Sequence, residues 1–196
     1  LLDTLSATLR QPLDGKKMPQ TLMVGSAIPT EGKSFITAKL GVSLASSMDQ
    51  HCLLVDCNLH NPTLAYVFGI YQKYGLVDYL RDQVDLAEIV METSVPKLSV
   101  VPSGTVPNDP KNLLSSLWMQ TFIEDVSSRY EESTIVFDSP PMLMAAESIA
   151  LAGQVDAIIM VVRQGRAKKN EAQRFIDVVD KNKILGIVFN DLPSVK

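Results

Sequence analysis

The chain has 196 residues, 46% hydrophobic and 20% charged, which suits one α/β domain with a continuous buried core and leaves no room for a second full domain. A net charge of −4 and a pI near 5.2 argue against nucleic acid as a partner, because its phosphate backbone calls for a basic surface. No apolar run reaches the roughly 18 residues of a bilayer span. Cys52 and Cys57 share one apolar run with neither metal-ligand nor disulfide spacing, so a cytoplasmic, reducing location is expected.

In chain order, LLDTLSATLR has neither a basic n-region nor a cleavage site. Six apolar, β-branched segments then follow: TLMVGSA from 21, HCLLVDCN from 51, KLSVVPSG from 97, STIVFDSP from 133, VDAIIMVV from 155 and ILGIVFND from 184. Between them FITAKLGVSLASSM, PKNLLSSLWMQTFIEDVSSRY, AAESIALAG and KKNEAQRFIDVVDKN carry apolar residues three and four apart, the spacing of helices packed on a sheet. The alternation predicts an α/β fold with a mainly parallel central sheet and helices on both faces. Phe35, Leu40, Leu44, Leu117, Trp118, Phe122, Phe175 and Val179 are the expected core. The stretch 58–96, broken by Pro62, Gly69 and Gly75, reads as a flexible flap, and Tyr66, Tyr71, Tyr74 and Tyr79 within it as ordinary packing and surface residues.

In such sheets ligands sit beyond the carboxyl ends of the strands. The first strand leads into AIPTEGKS, residues 27–34, the eight-residue phosphate-loop template with Ala27 in place of its first glycine. The candidate cradle is Ala27, Pro29, Thr30, Glu31, Gly32, Lys33 and Ser34, with Phe35 directly after it. Gly32 lets the backbone approach a polyphosphate closely, Lys33 would bridge its β- and γ-phosphates, and the Ser34 hydroxyl would ligate Mg²⁺.

IVFDSPP then projects Asp138 from the end of a buried strand as a metal holder, although an Asp before Ser-Pro-Pro taken alone is a common turn former. LLVDCNLH repeats the design with Asp56, so two carboxylates can converge on one metal–phosphate centre. A second acid two residues on would complete an alternating pair, but Asn58 stands there.

Loop, strand-Asp and strand-Asp-x-Pro, in this order, resemble the bacterial tyrosine kinases of capsule and exopolysaccharide synthesis, especially those associated with exosortase systems. NPTLAYVFGI, YGLVDYLRD, LSVVPSGTVPNDPKNLLSS, VDAIIMVVR and GIVFND extend the resemblance over roughly residues 20–191. It implies a phosphate-loop fold related to the MinD and ParA ATPases, one nucleotide-binding kinase domain over 1–196 trimmed at one or both ends, and ATP with Mg²⁺ as cofactors. It also implies phosphate transfer to tyrosines, a homo-oligomer, and a place in the cytoplasm beside an inner-membrane polysaccharide co-polymerase that activates the kinase.

The same resemblance makes Lys33, Asp56 and Asp138 catalytic, Ser34, Asp56 and Asp138 the metal set, and Asn190 an adenine contact. Three positions depart from the family pattern: Asn58 replaces an acid, His60 an Arg and Thr30 a Gly. Asp56 is the expected substitute proton acceptor. An ATP-dependent switch of the MinD type, acting by assembly without transfer, is the alternative.

Overall fold

In the computed structural model, residues 19–47, 51–71, 73–105 and 112–191 are described. Seven strands form one sheet: β1 (Thr21–Ser26), β2 (Cys52–Asp56), β3 (Met91–Glu92), β4 (Leu98–Val101), β5 (Thr134–Asp138), β6 (Ala157–Arg163) and β7 (Ile184–Asn190). Their order is β3-β4-β2-β5-β1-β6-β7, parallel throughout except for the antiparallel β3–β4 pair. The six strands expected from sequence are present. The seventh, β3, is a two-residue edge strand defined by its pairing to β4.

Helices α1 (Lys33–Ser47) and α2 (Leu64–Val67) lie on one face of the sheet. On the other lie α3 (Leu76–Leu80), α4 (Leu86–Ile89), α5 (Leu117–Arg129), α6 (Ala146–Gln154) and α7 (Lys169–Val178). Side chains alternate between faces along each strand. Leu54 and Val136 therefore pack with Leu40 and Leu44 of α1, whereas Val55 and Phe137 pack with Met119 and Phe122 of α5. The alternation sets Asp56 and Asp138, register partners on adjacent strands, both toward α1. Cys52 and Cys57 are free and buried.

Three core expectations fail. Phe35 is 54% exposed on the first turn of α1; Leu117 is 77% exposed and Trp118 is also exposed, because the inward stripe of α5 runs through Met119, Phe122, Ile123 and Val126 and leaves its first two residues on the outside. Leu40, Leu44, Phe122 and Phe175 are buried as expected, and Val179 packs half-buried against the core layer that holds Phe122 and Phe175.

The stretch expected to be a flap is pinned down. It forms α2, α3, α4 and β3, and sinks Leu64, Leu76, Val77, Leu80, Leu86 and Ile89 into the core. Asp78 fixes it further by accepting from the Gly75 and Thr105 N–H groups at 2.9 and 3.0 Å. Of its tyrosines, Tyr66 and Tyr71 lie on the surface, Tyr74 packs on the core, and Tyr79 packs on Phe122 while donating to Asp125. Among the described residues no helix is long and apolar enough to cross a membrane.

Candidate active site

β1 delivers its last side chain, Ser26, toward α1, and the chain then turns through residues 27–32 into the first turn of that helix. There backbone N–H groups lack intrahelical partners and the helix dipole favours an anion. Gly32 makes the turn possible: its φ is +92°, and a Cβ in its place would lie 2.2 Å from Asn190 Nδ2. Thr30 also adopts a left-handed φ, +63°, so the residue in the place of a family glycine sits where glycine would be unstrained.

The loop is braced from below by groups distant in sequence. Glu31 is 0% exposed, and its carboxylate accepts from the Ile28 N–H at 3.1 Å and the Arg163 N–H at 3.2 Å. The Arg163 guanidinium donates to the Thr30 carbonyl at 3.3 Å and holds Asp191 at 2.7 and 3.0 Å. Asn190 Nδ2 donates to the Glu31 carbonyl at 3.0 Å, so this amide is engaged with the loop itself. Ala27 is buried, while Pro29, Thr30, Gly32, Lys33, Ser34 and Phe35 line an open cleft of about 1680 Å³, with Lys39 Nζ lying 4.6 Å from the Phe35 ring centroid.

Lys33 is buried, and its ammonium donates to Ser26 Oγ at 3.1 Å. Burial lowers its pKa, against the opposing pull of Asp138 and Glu31. Asp138 accepts from the Ser34 hydroxyl, and its Oδ1 lies 3.4 Å from Thr37 Oγ1, which also donates to the Lys33 carbonyl at 3.0 Å. The other oxygen, Oδ2, is buried without a partner among the described residues. Burial, then the neighbouring Asp56 charge, pushes Asp138 up to about 7, although Ser34, Lys33 and Thr37 oppose the shift.

Asp56, the expected proton acceptor, stands in a closed environment. It is 0% exposed, its Oδ1 accepts from the Asn58 N–H at 3.2 Å, and its Oδ2 accepts from the Thr63 and Leu64 N–H groups at 2.9 Å each. Burial raises its pKa to about 6 against those three bonds. Asp56 thus ties the chain leaving β2 to the start of α2 and adds a second negative charge beside Asp138.

The fit to Mg²⁺ rests on donor chemistry: a hydroxyl, a carboxylate with one orphaned oxygen, and a second buried carboxylate next to it. Such a hard, sparse oxygen set suits an ion that keeps waters and phosphate oxygens as its remaining ligands. The described residues contain no group of three or more His, Cys, Asp or Glu that could hold an ion alone.

Sequence reasoning passed over Ser26, Thr37, Thr63, Glu147 and Arg163. Thr37 lies one helical turn after Lys33 and Ser26 ends the strand before the loop, so spacing alone would have reached both. Arg163 stands 132 residues from Glu31, and no local pattern links them.

A scan against protein-family models finds no match. The chain is 32% identical over 177 residues to tyrosine-protein kinase CpsD of Streptococcus agalactiae, an alignment spanning 89% of this chain and 75% of that protein. Among solved structures it resembles the BceF tyrosine kinase domain with a TM-score of 0.83 and 30% identity, covering 98% of this chain and 76% of that one. The septum site-determining protein MinD from Pyrococcus horikoshii, complexed with Mg-ADP, shares the fold at a TM-score of 0.74 and 21% identity, over 90% of this chain and 72% of that one. With the parallel sheet, the phosphate loop and the strand-end carboxylates all in place, this chain belongs to the family of bacterial tyrosine-protein kinases.

Proposed function

We propose that the chain transfers the γ-phosphoryl group of ATP to protein tyrosines, its own kind included, and does so in the control of exopolysaccharide or capsule polymerisation and export. The carrying observation is the unpartnered, buried Asp138 Oδ2 beside the Ser34 hydroxyl, one helix start away from the Lys33 ammonium. A buried acceptor left open is costly in a resting fold and is accounted for by an ion brought in with the nucleotide.

In this reading Lys33 leaves Ser26 to meet the β- and γ-phosphates, residues 29–34 wrap the polyphosphate, and Phe35 and Asn190 border the nucleotide. Ser34 and Asp138 hold the Mg²⁺ shell, with Asp56 adding charge behind Asp138. Bound there, Mg²⁺ neutralises charge on the phosphate oxygens, the main requirement of a loosely bonded transfer.

Residues 1–196 form one kinase domain in this reading. It works as a homo-oligomer in the cytoplasm, held at the inner membrane by a polysaccharide co-polymerase that activates it. Incubating the protein with labelled ATP, Mg²⁺ and that partner should give phosphotyrosine that disappears in Lys33→Met. Nucleotide binding without any tyrosine label in the wild type would refute the kinase reading and leave the assembly switch.

A further inference from the structure

Transfer to a tyrosine needs somewhere for the phenolic proton to go, because an ordinary tyrosine hydroxyl titrates near pH 10. Among the described residues the titratable groups lining the cleft are Lys33, Lys39, His60 and Asp191. An ammonium has no acceptor lone pair, and Asp191 is held by two guanidinium hydrogen bonds at the Arg163 end of the loop. Asp56 and Asp138 are fully buried, the first filled by three N–H groups and the second facing Ser34 and Thr37. Asn58 offers only an amide. The one suitable acceptor that remains is His60.

His60 is set for the task. Its turn follows β2 directly, its side chain is 48% exposed, and it shares the cleft with Lys33, Ser34 and Asn58. Nε2 lies 3.2 Å from Oε1 of Glu147, an acid in the first turn of α6 whose side chain is only 11% exposed. A carboxylate can only accept, so Nε2 carries the hydrogen, and the base form of the ring then has its lone pair on Nδ1, for which no partner is found among the described residues. A base oriented by an acid behind it, open on its other nitrogen, is the arrangement that activates a hydroxyl nucleophile.

Resting on the kinase reading above, we infer that His60, held in one tautomer by Glu147, is the general base that takes the proton of the acceptor tyrosine. The tyrosine oxygen bonds to the γ-phosphorus as the bond to the β,γ-bridging oxygen breaks. ADP leaves with that electron pair, the phenolic proton passes to Nδ1, and the imidazolium returns it to water after the phosphotyrosine departs. Glu147 is a positioning residue in this scheme.

The test uses the full chain with ATP, Mg²⁺ and a single-tyrosine peptide. His60→Gln keeps a donor toward Glu147 but has no basic nitrogen, and should lower kcat about 10²-fold, the low end of general-base contributions, with nucleotide affinity unchanged. His60→Ala should fall as far and regain rate when free imidazole is added. A fluorinated tyrosine peptide, whose phenol is more acidic, should narrow the gap between wild type and both variants. Glu147→Gln should lose about tenfold in kcat without loss of nucleotide binding, between wild type and His60→Gln.

Transfer by His60→Gln at the wild-type rate, or a loss equal for the fluorinated and ordinary peptides and deaf to imidazole, would overturn the assignment. A wild-type protein that binds nucleotide but labels no tyrosine removes the kinase reading and this role together. That result is distinguishable, because wild type and variant are then equally silent.

Discussion

Asp138 carries a conflict between folding and function that can be measured. In the folded chain its carboxyl is raised from an ordinary 3.8 to about 7, so between those values the folded state holds a proton that the unfolded chain has lost. The folded state then binds more protons than the unfolded one, and stability must fall as pH rises through this window. The rise from 3.8 to about 7, at about 1.4 kcal/mol for each tenfold change in proton affinity, sets an upper limit of about 4 kcal/mol on the penalty above pH 7. Asp138→Asn removes the charge and keeps an oxygen to accept from Ser34 and Thr37, but places an N–H where Oδ2 had no partner, at a cost of about 1–3 kcal/mol.

The net expectation, without nucleotide or Mg²⁺, is a gain of about 2 kcal/mol at pH 8 that vanishes or reverses by pH 4. Urea denaturation of both proteins across that range measures it. For a chain of this size the gain at pH 8 corresponds to a rise in Tm of about 4–8 °C. The variant should also lose the stabilisation that Mg²⁺ with nucleotide gives the wild type. A variant equally destabilised at pH 4 and pH 8 would mean that the buried charge carries no penalty.

Two further outcomes concern the loop. Gly32→Ala should cost about 2–3 kcal/mol and nucleotide binding, from a forced φ of +92° and a Cβ set against Asn190; adding Asn190→Ala should recover only the part due to the clash, as read from the two denaturation midpoints. Thr30→Gly should raise stability by about 0.5–1 kcal/mol, because it relieves a β-branched residue at φ +63° at the expense of some unfolded-state entropy, and a lower Tm would contradict this.

The strands were readable because a sheet buried on both faces demands near-continuous apolar runs, and TLMVGS, CLLVD, TIVFD and AIIMVVR supply them. The phosphate-loop motif was readable because Gly32, Lys33 and Ser34 occupy consecutive positions at a helix start, where the chain itself fixes their geometry. Asp138 was readable from strand polarity: an acid closing an apolar run must emerge at the carboxyl edge, and period-two alternation placed it beside Asp56.

Three residues show what only tertiary packing could decide. Asp56 looks like Asp138 in sequence, yet the fold brings the Thr63 and Leu64 N–H groups onto it and makes it a structural anchor. Glu31 reads as a loop residue facing a ligand, but β6 passes beneath and takes it inward. His60 gains its partner from Glu147, 87 residues away. Composition, period and local spacing thus determined the fold class and the phosphate cradle, since these depend on neighbours along the chain. The proton-handling chemistry was decided by which distant strands and helix starts pack together, because a side chain's charge, tautomer and access follow from partners that local sequence does not specify.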